Sequence, residues 1–397
     1  MRIGIVGCGF TADHYLISLK RYPHLELAAV TDQDPKRAAD FSAYQKVKVS
    51  PSLEAMLSDS SIELIVNLTN SSSHYRVSKA ILEAGKHLYT EKPLATTFAQ
   101  AQELVQLAEA KGVYFSAAPC SLLGETAQTL WRALRKNEIG NVHVAYGEME
   151  DGPFHMAEPD KWHSESGAHY DYHEEFKVGV TVEHAGYYLS WFTAFFGPAK
   201  TITGFRAITW PDKKISDQET LHVTTPDFSV ACVTFESGVV ARLTCSLVGP
   251  YNHSMKIVGD TGTLSVHENW NFCAPVYIDR YSSLKYRAER YSVTREFPFI
   301  KNLLDTRPRT YPSVWKSTLK KRQARYRMDY TRGIADVAQA ITKKGPLRIP
   351  TDYCLHVTEL ALAMQNATQE PYKVTTTFKP LQPLDEAELK EVIPPTW

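Results

Sequence analysis

Several absences narrow this chain of 397 residues before any motif is read. No apolar run approaches the ~20 residues that a helix needs to span a bilayer, so no membrane partner is expected. Its start, Met1-Arg2-Ile3-Gly4-Ile5-Val6, enters a folded pattern directly, without the charged and apolar zones of a signal peptide. Net charge is also missing. The 44 Lys+Arg balance 44 Asp+Glu, and no overall field points to nucleic acid or an anionic surface. Cysteine is sparse: Cys8, Cys120, Cys232, Cys245, Cys273 and Cys354 lie far apart with no CxxC spacing. They read as buried free thiols in a reducing compartment, and a cytoplasmic location is expected. There is no internal repeat and no low-complexity tract. What remains is 43% hydrophobic and 22% charged residues, the balance of a globular chain rather than a disordered one.

The first 120 or so residues alternate short apolar runs with helical patterns. Strands are predicted at Ile3–Val6, Leu25–Thr31, Ile62–Leu68, His87–Thr90 and Val113–Ala117, with helices at Ala12–Arg21, Pro35–Tyr44, His74–Ala84 and Phe98–Lys111. That rhythm implies right-handed crossovers and an α/β Rossmann domain with a doubly wound parallel sheet. The rhythm then changes. A helix over Thr126–Lys136, a strand over Val142–Met149 and an irregular stretch to Val178 precede a helix over Val182–Phe196, stopped by Gly197-Pro198. Period-two strands follow at Thr201–Ala207, Thr220–Thr224, Phe228–Phe235 and Val239–Leu247, with turns at Glu236-Ser237-Gly238 and Asp260-Thr261-Gly262. These read as a C-terminal α+β domain with a large, mostly antiparallel sheet. The expected division is 1–120, 121–370 and a proline-containing extended arm over 371–397. The arm, and a sheet whose second face needs covering, suggest a homodimer or homotetramer.

Gly7-Cys8-Gly9-Phe10-Thr11-Ala12 follows the first strand and opens the first helix. Gly7 suits the tight turn, Gly9 lets backbone approach a pyrophosphate, and Ala12 allows close helix–strand packing. The helix N-terminus offers amide groups and partial positive charge to phosphates. Asp32, at the end of the second strand, suits the adenosine ribose hydroxyls and would repel a 2′-phosphate; no Arg follows at once. NAD is therefore expected over NADP. The plainer reading is a tight turn and a helix cap.

Glu91-Lys92-Pro93 follows the strand His87–Thr90. Ligands of open parallel sheets bind beyond the carboxyl ends of strands, so Lys92 is placed to reach a cofactor-bound substrate. With these residues, the Leu68-Thr69-Asn70 to His74 stretch, Gly259-Asp260-Thr261-Gly262-Thr263-Leu264 and Arg332-Gly333-Ile334-Ala335-Asp336, the chain resembles the Gfo/Idh/MocA family of oxidoreductases over residues 1–366. The resemblance implies two domains, a nicotinamide cofactor contacted by Thr69, Asn70, His74 and Glu91 as well as the glycine turn, a sugar-like substrate, and a catalytic Lys92.

Relatives carry Asp-x-Gly-x-His on the helix that begins the second domain. With Gly179 and Gly197 as landmarks, Glu183 takes the Asp position, Ala185 the Gly position and Tyr187 the His position. Glu183 and Tyr187 are four apart and share a helix face. Glu for Asp and Ala for Gly depart from the pattern. A register one residue later makes His184 and Tyr188 the pair instead, and His titrates near neutrality unaided. On either register the expected chemistry moves a hydride between nicotinamide and a secondary alcohol while a side chain carries the proton. A nearby Lys92 ammonium is expected to draw the Tyr187 phenol down into working range. Glu183 would orient Lys92 or bind a substrate hydroxyl. Two other functions stay open: a redox-cycling glycosidase that keeps its NAD, and a sensing regulator without turnover.

Weaker signals remain. His155, His163, His169, His173 and His184 lie with Trp162, Tyr170, Asp171 and Tyr172 in one stretch, read as a substrate loop or a solvated surface. His169 and His173 have i,i+4 spacing, but no third ligand is specified and no metal is expected. Nine basic residues between Lys301 and Arg327 suit an anionic substrate group, a subunit contact or a solvated face.

Overall fold

The apolar run at the start of the chain forms strand β1 (Arg2–Val6), buried from Ile3 onward, inside a five-stranded parallel sheet. In this computed structural model, residues 1–283, 290–297, 299–300, 308–314 and 328–392 are described. Of the nine basic residues over 301–327 all but Arg309 lie outside them, as do Pro394 and Pro395. Strands β2 (Glu26–Thr31), β3 (Leu64–Asn67), β4 (His87–Thr90) and β5 (Phe115–Ala117) complete the sheet in the order β2-β1-β3-β4-β5. Every pairing is parallel. Helices α1 (Phe10–Leu19), α2 (Pro35–Gln45), α3 (Leu53–Ser58), α4 (Ser71–Glu83) and α5 (Phe98–Lys111) join the strands. Asp34, Ser52 and Thr97 cap the amides of α2, α3 and α5. The short α3 lies in a stretch for which no helix is predicted.

A turn of 3-10 helix (Cys120–Leu123) and α6 (Glu125–Arg135) lead into the second domain. Its sheet contains β6 (Val142–Glu150), β7 (Ala199–Ala207), β10 (Phe228–Phe235), β11 (Val240–Ser246), β12 (Met255–Gly259), β13 (Gly262–Val266), β14 (Tyr277–Arg280), β15 (Arg309–Thr310) and β16 (Tyr372–Lys373). A separate hairpin pairs β8 (Asp212–Lys214) with β9 (Thr220–His222). The nine strands run β15-β14-β13-β12-β6-β11-β10-β7-β16, and β6–β11 is the one parallel pair. Both predicted hairpin turns form, with Gly238 at φ +86° in the first.

The predicted helix over Val182–Phe196 is two helices, α8 (Val180–His184) and α9 (Gly186–Phe196), which meet at the buried Ala185. A third, α7 (Tyr172–Val178), precedes them inside the stretch read as irregular. Gly179 joins α7 to α8 at φ +94°, and a Cβ there would lie 2.9 Å from Gln365 Oε1, which accepts the Val182 amide.

Helix Thr331–Lys343 packs on the parallel sheet: Ile334, Val337 and Ala338 share a core with Ile3, Ile5, Ala12 and Tyr15. At Gly333 a side chain would strike the Tyr89 ring. Helix Thr351–Gln365 lies against α5, α8 and α9. After β16 the tail does not simply extend. Leu384, Leu389 and Val392 are buried in the chain's own core, the last two on a helix over Glu386–Val392. All six cysteines are free, and Cys232 is exposed rather than buried because it alternates outward on β10.

Candidate active site

Gly7 stands at φ +97°, and a Cβ there would come within 2.6 Å of the Leu68 carbonyl. The β1–α1 turn is thus pressed against the β3–α4 loop. Gly9 differs: it precedes α1 at φ −79°, and nothing lies within 4 Å of where its Cβ would be. No side chain caps α1, so its first amides face open space of the kind a pyrophosphate fills. Ala12 is fully buried at the helix–sheet contact, while Phe10 and Thr11 keep partial exposure. Asp32 receives the Cys8 amide on Oδ2 at 2.8 Å and the Asp34 amide on Oδ1 at 2.8 Å. Arg37 places its guanidinium 3.8 Å from Asp32, a neighbour that a search for an arginine immediately after Asp32 passes over. A loop, an uncapped helix and a ribose-side carboxylate fit a dinucleotide.

His74 is buried, with Nδ1 2.7 Å from the Pro93 carbonyl and Nε2 2.8 Å from the Thr69 carbonyl. It ties the loop after β3 to the loop after β4 and acts on the cleft through backbone. Thr69 turns its amide and hydroxyl onto Asn67 Oδ1, and Asn70 is exposed just before α4. Glu91 takes the Tyr15 hydroxyl at 2.6 Å on one oxygen and the Lys92 amide at 3.0 Å on the other.

Lys92 and Glu183 come together. Lys92 Nζ donates to Glu183 Oε2 at 2.7 Å, and Ser71 donates to Glu183 Oε1 at 2.6 Å. Burial opposes charge on both groups, but their mutual attraction wins. Lys92 is held above the ordinary lysine range and Glu183 below the ordinary carboxylate range. At neutral pH this is an ammonium–carboxylate pair.

Tyr187 is buried on α9, with its ring 5.2 Å from that of Trp270. The expected lowering of its phenol does not occur. Burial, then Tyr330 and the carboxylates of Glu91 and Glu183, push it well above its usual value. Tyr187 therefore keeps its proton at neutral pH. Tyr330, which no motif marks, shares this environment: it is pushed up by burial and Glu91 and drawn down by Lys92. Its ring stacks on His14 at 5.6 Å. Tyr188 is fully buried in the core, and its hydroxyl has no partner among the described residues.

His184 is occupied by two carboxylates. Its Nδ1 is 2.8 Å from Asp151 Oδ2 and its Nε2 is 3.3 Å from Glu175 Oε1. Both are ion-pair contacts outside straight hydrogen-bond geometry. The loop between β6 and α7 forms an aromatic wall: Phe154 stacks on Phe176 at 4.8 Å, and Trp162 lies 5.4 Å from Tyr170. Tyr170 also meets Phe10 of the dinucleotide turn at 5.3 Å. His169 sits against His163, Nε2 to Nε2 3.1 Å, while His173 pairs with Glu219 at 3.2 Å. A hollow of about 30 Å³ lies behind Lys92, lined by Pro93, Ala118, Pro119, Val182 and Tyr353. The larger one, about 320 Å³, is bounded by Trp131, Lys343, Arg348 and Leu384, and none of the residues above lines it. Among the described residues, no helix is long and apolar enough to cross a membrane.

Residues 1–118 match the oxidoreductase family model with an NAD-binding Rossmann fold, and residues 127–265 match the GFO/IDH/MocA C-terminal domain. The chain is 25% identical to mouse trans-1,2-dihydrobenzene-1,2-diol dehydrogenase over 274 residues, covering 68% of this chain and 75% of that one. It is 30% identical to the Escherichia coli (strain K12) uncharacterized oxidoreductase YdgJ over 168 residues, 42% of this chain and 47% of that one. The WlbA dehydrogenase of Bordetella pertussis, solved with NADH and UDP-GlcNAcA, shares the fold with a TM-score of 0.69 at 15% identity, covering 94% of this chain and 98% of that one. With both its domains matched, the chain belongs to the GFO/IDH/MocA family and is an NAD-binding oxidoreductase.

Proposed function

We propose that this protein moves a hydride between NAD and a secondary alcohol or ketone of a sugar, glycoside, cyclitol or nucleotide sugar, with Lys92 and Tyr187 in the proton transfer. The observation that carries the proposal is the Lys92–Glu183 pair, 2.7 Å apart at the carboxyl end of β4. When bound, the nicotinamide supplies the hydride donor or acceptor. Lys92 offers an ammonium hydrogen bond to the reacting oxygen and stabilises negative charge there. Glu183, braced by Ser71, fixes the direction of that ammonium. Tyr187 keeps its proton until the oxygen takes it in the reducing direction. Gly9 and the first turn of α1 would hold the pyrophosphate, and Asp32 the adenosine ribose.

The test begins with purified protein, checked for bound NAD, and then follows reduced-cofactor absorbance against sugars, glycosides, cyclitols and nucleotide sugars. Lys92→Met should lower turnover by roughly 10²- to 10⁴-fold, with NADH affinity nearly unchanged. Wild-type rates in that variant would remove Lys92 from the chemistry.

One observation favours a second reading, a redox-cycling hydrolase that retains its NAD. The turn between Trp162 and Tyr170 reaches across to the Rossmann domain: the Ser166 amide donates to Asp13 Oδ2 at 2.9 Å, and the Tyr44 hydroxyl to Glu165 at 3.2 Å. A strap beside the dinucleotide turn suits a cofactor that stays between turnovers. Such an enzyme would copurify with NAD and cleave a glycoside without net NADH.

A further inference from the structure

The carboxylates and imidazoles behind Lys92 form a series of close contacts, two ion pairs at His184 and then hydrogen bonds, that the chemistry above does not use. Glu175 Oε1 faces His184 Nε2 at 3.3 Å, and His184 Nδ1 faces Asp151 Oδ2 at 2.8 Å. The other Asp151 oxygen, Oδ1, meets His253 Nε2 at 2.9 Å, and His253 Nδ1 meets Glu268 Oε1 at 3.1 Å. Glu268 Oε2 accepts the Tyr251 hydroxyl at 2.8 Å, and Tyr251 is 63% exposed. Each imidazole uses its two nitrogens on two different carboxylates, and Asp151 and Glu268 use separate oxygens for their two neighbours. That alternation lets a proton enter one atom of a group and leave by another.

Oxidising an alcohol leaves one proton behind for every hydride given up, and the proton must reach solvent. We infer that Lys92 takes the alcohol's proton as it passes one of its own to Glu183, and that His184, Asp151 and His253 conduct that proton from Glu183 to Glu268 and Tyr251 at the surface. The inference rests on the hydride-transfer reading above.

At the inner end His184 follows Glu183 directly in the chain. Glu175 lies within the electrostatic reach of Lys92 and Glu183, and Tyr170 donates to its Oε2 at 3.1 Å. The Trp270 ring touches Tyr187, His184 and His253, at 5.2, 5.4 and 4.4 Å. Five elements supply the charged groups facing the series: α7 gives Glu175, α8 gives Glu183 and His184, the end of β6 gives Asp151, the segment before β12 gives His253, and the loop after β13 gives Glu268. Burial disfavours charge on both imidazoles. The flanking carboxylates more than offset it, raising His184 and lifting His253 to about 9, while Asp151 is held far below its usual range. A charged imidazole between two carboxylates can release a proton to one as it accepts a proton from the other. None of these residues is assigned to touch the reacting atoms; they act on the proton alone.

The experiment uses the full chain with NAD and the substrate that the wild type oxidises. In His253→Gln, kcat should fall roughly tenfold with KM little changed, and added imidazole at fixed pH should restore it. Glu268→Gln, which keeps a hydrogen-bonding side chain, should show the same rescue in milder form. The primary isotope effect of a deuterated substrate should shrink and the solvent isotope effect should grow, as proton departure replaces hydride transfer as the slow step. Unchanged kcat in both variants, or a loss that imidazole does not relieve, overturns the conduit. A wild type with bound NAD and no oxidation of any panel member overturns the hydride-transfer reading and the conduit with it, an outcome recognisable before any variant is made.

Discussion

Lys92 and Glu183 show what a residue pair can reveal before a structure exists. The EKP triplet and the register set by Gly179 and Gly197 bring out Lys92, Glu183 and Tyr187 from sequence alone. The direction of each proton affinity does not follow from spacing. Tyr187 moves up, because burial and then Tyr330 and the nearby carboxylates all disfavour its phenolate. Tyr330, Asp151, His253 and Glu268 carry no motif and reach the site only through the fold, so nothing local marks them. His253 lends itself to a pH test. Its imidazole is raised from an ordinary value near 6.5 to about 9 by Asp151 and Glu268, against the effect of burial. A raised group contributes stability that is complete below the unfolded pKa and is lost as pH rises through the folded one. His253→Gln should therefore unfold earlier than wild type by on the order of 2–3 kcal/mol near pH 6. The gap should narrow toward pH 10 as wild type itself loses the proton. Calorimetric melts across that range check it; a constant gap would mean that the imidazole is uncharged in the fold.

At the scale of elements, the β1–α1 turn holds two glycines with different work. Gly7 sits at φ +97° with the Leu68 backbone where a side chain would go, whereas Gly9 has an ordinary φ and open space. Gly7→Ala should cost on the order of 2–4 kcal/mol, from the strained φ and the clash together. Gly9→Ala should melt with wild type yet bind NADH at least roughly tenfold more weakly, since its methyl occupies the phosphate cradle. Fluorescence titration with NADH beside thermal melts separates the two. Equal losses of stability at both positions would contradict the assignment. The same turn was legible because strand, glycines, helix and acidic residue occur in one short stretch. The five parallel strands were legible for the same reason, as short apolar runs between amphipathic helices. The break at Ala185 was not, because the apolar pattern continues through it. Nor were α7 and the helix over Glu386–Val392, whose burial depends on partners distant in sequence.

For the whole molecule, the nine-stranded sheet poses the remaining structural question. Helices α8 and α9 and the helix over Thr351–Gln365 pack on one face of β6, β7, β10 and β11. On the other face the register sets Phe205 opposite Val230 and Val230 opposite Thr244, and the next row sets Cys232 and Tyr146 on either side of Arg242. The Arg242 guanidinium lies 5.4 Å over the Tyr146 ring and pairs with Glu148, while Phe205 remains 56% exposed. A broad face that mixes aromatic and aliphatic groups with a few paired charges has the composition of a buried subunit contact rather than of bare surface. Among the described residues of the C-terminal segment, Leu384, Leu389 and Val392 are buried in the chain's own core. A second copy presenting the same face would cover the sheet through a two-fold axis. Wild type is therefore expected to sediment at two or four times the chain mass. Val230→Glu with Phe205→Glu places two carboxylates in the middle of that contact and should shift the protein to the monomer mass with its far-ultraviolet dichroism intact. A wild type that sediments as a monomer, or a double variant that keeps the wild-type mass, would show that this face meets solvent after all.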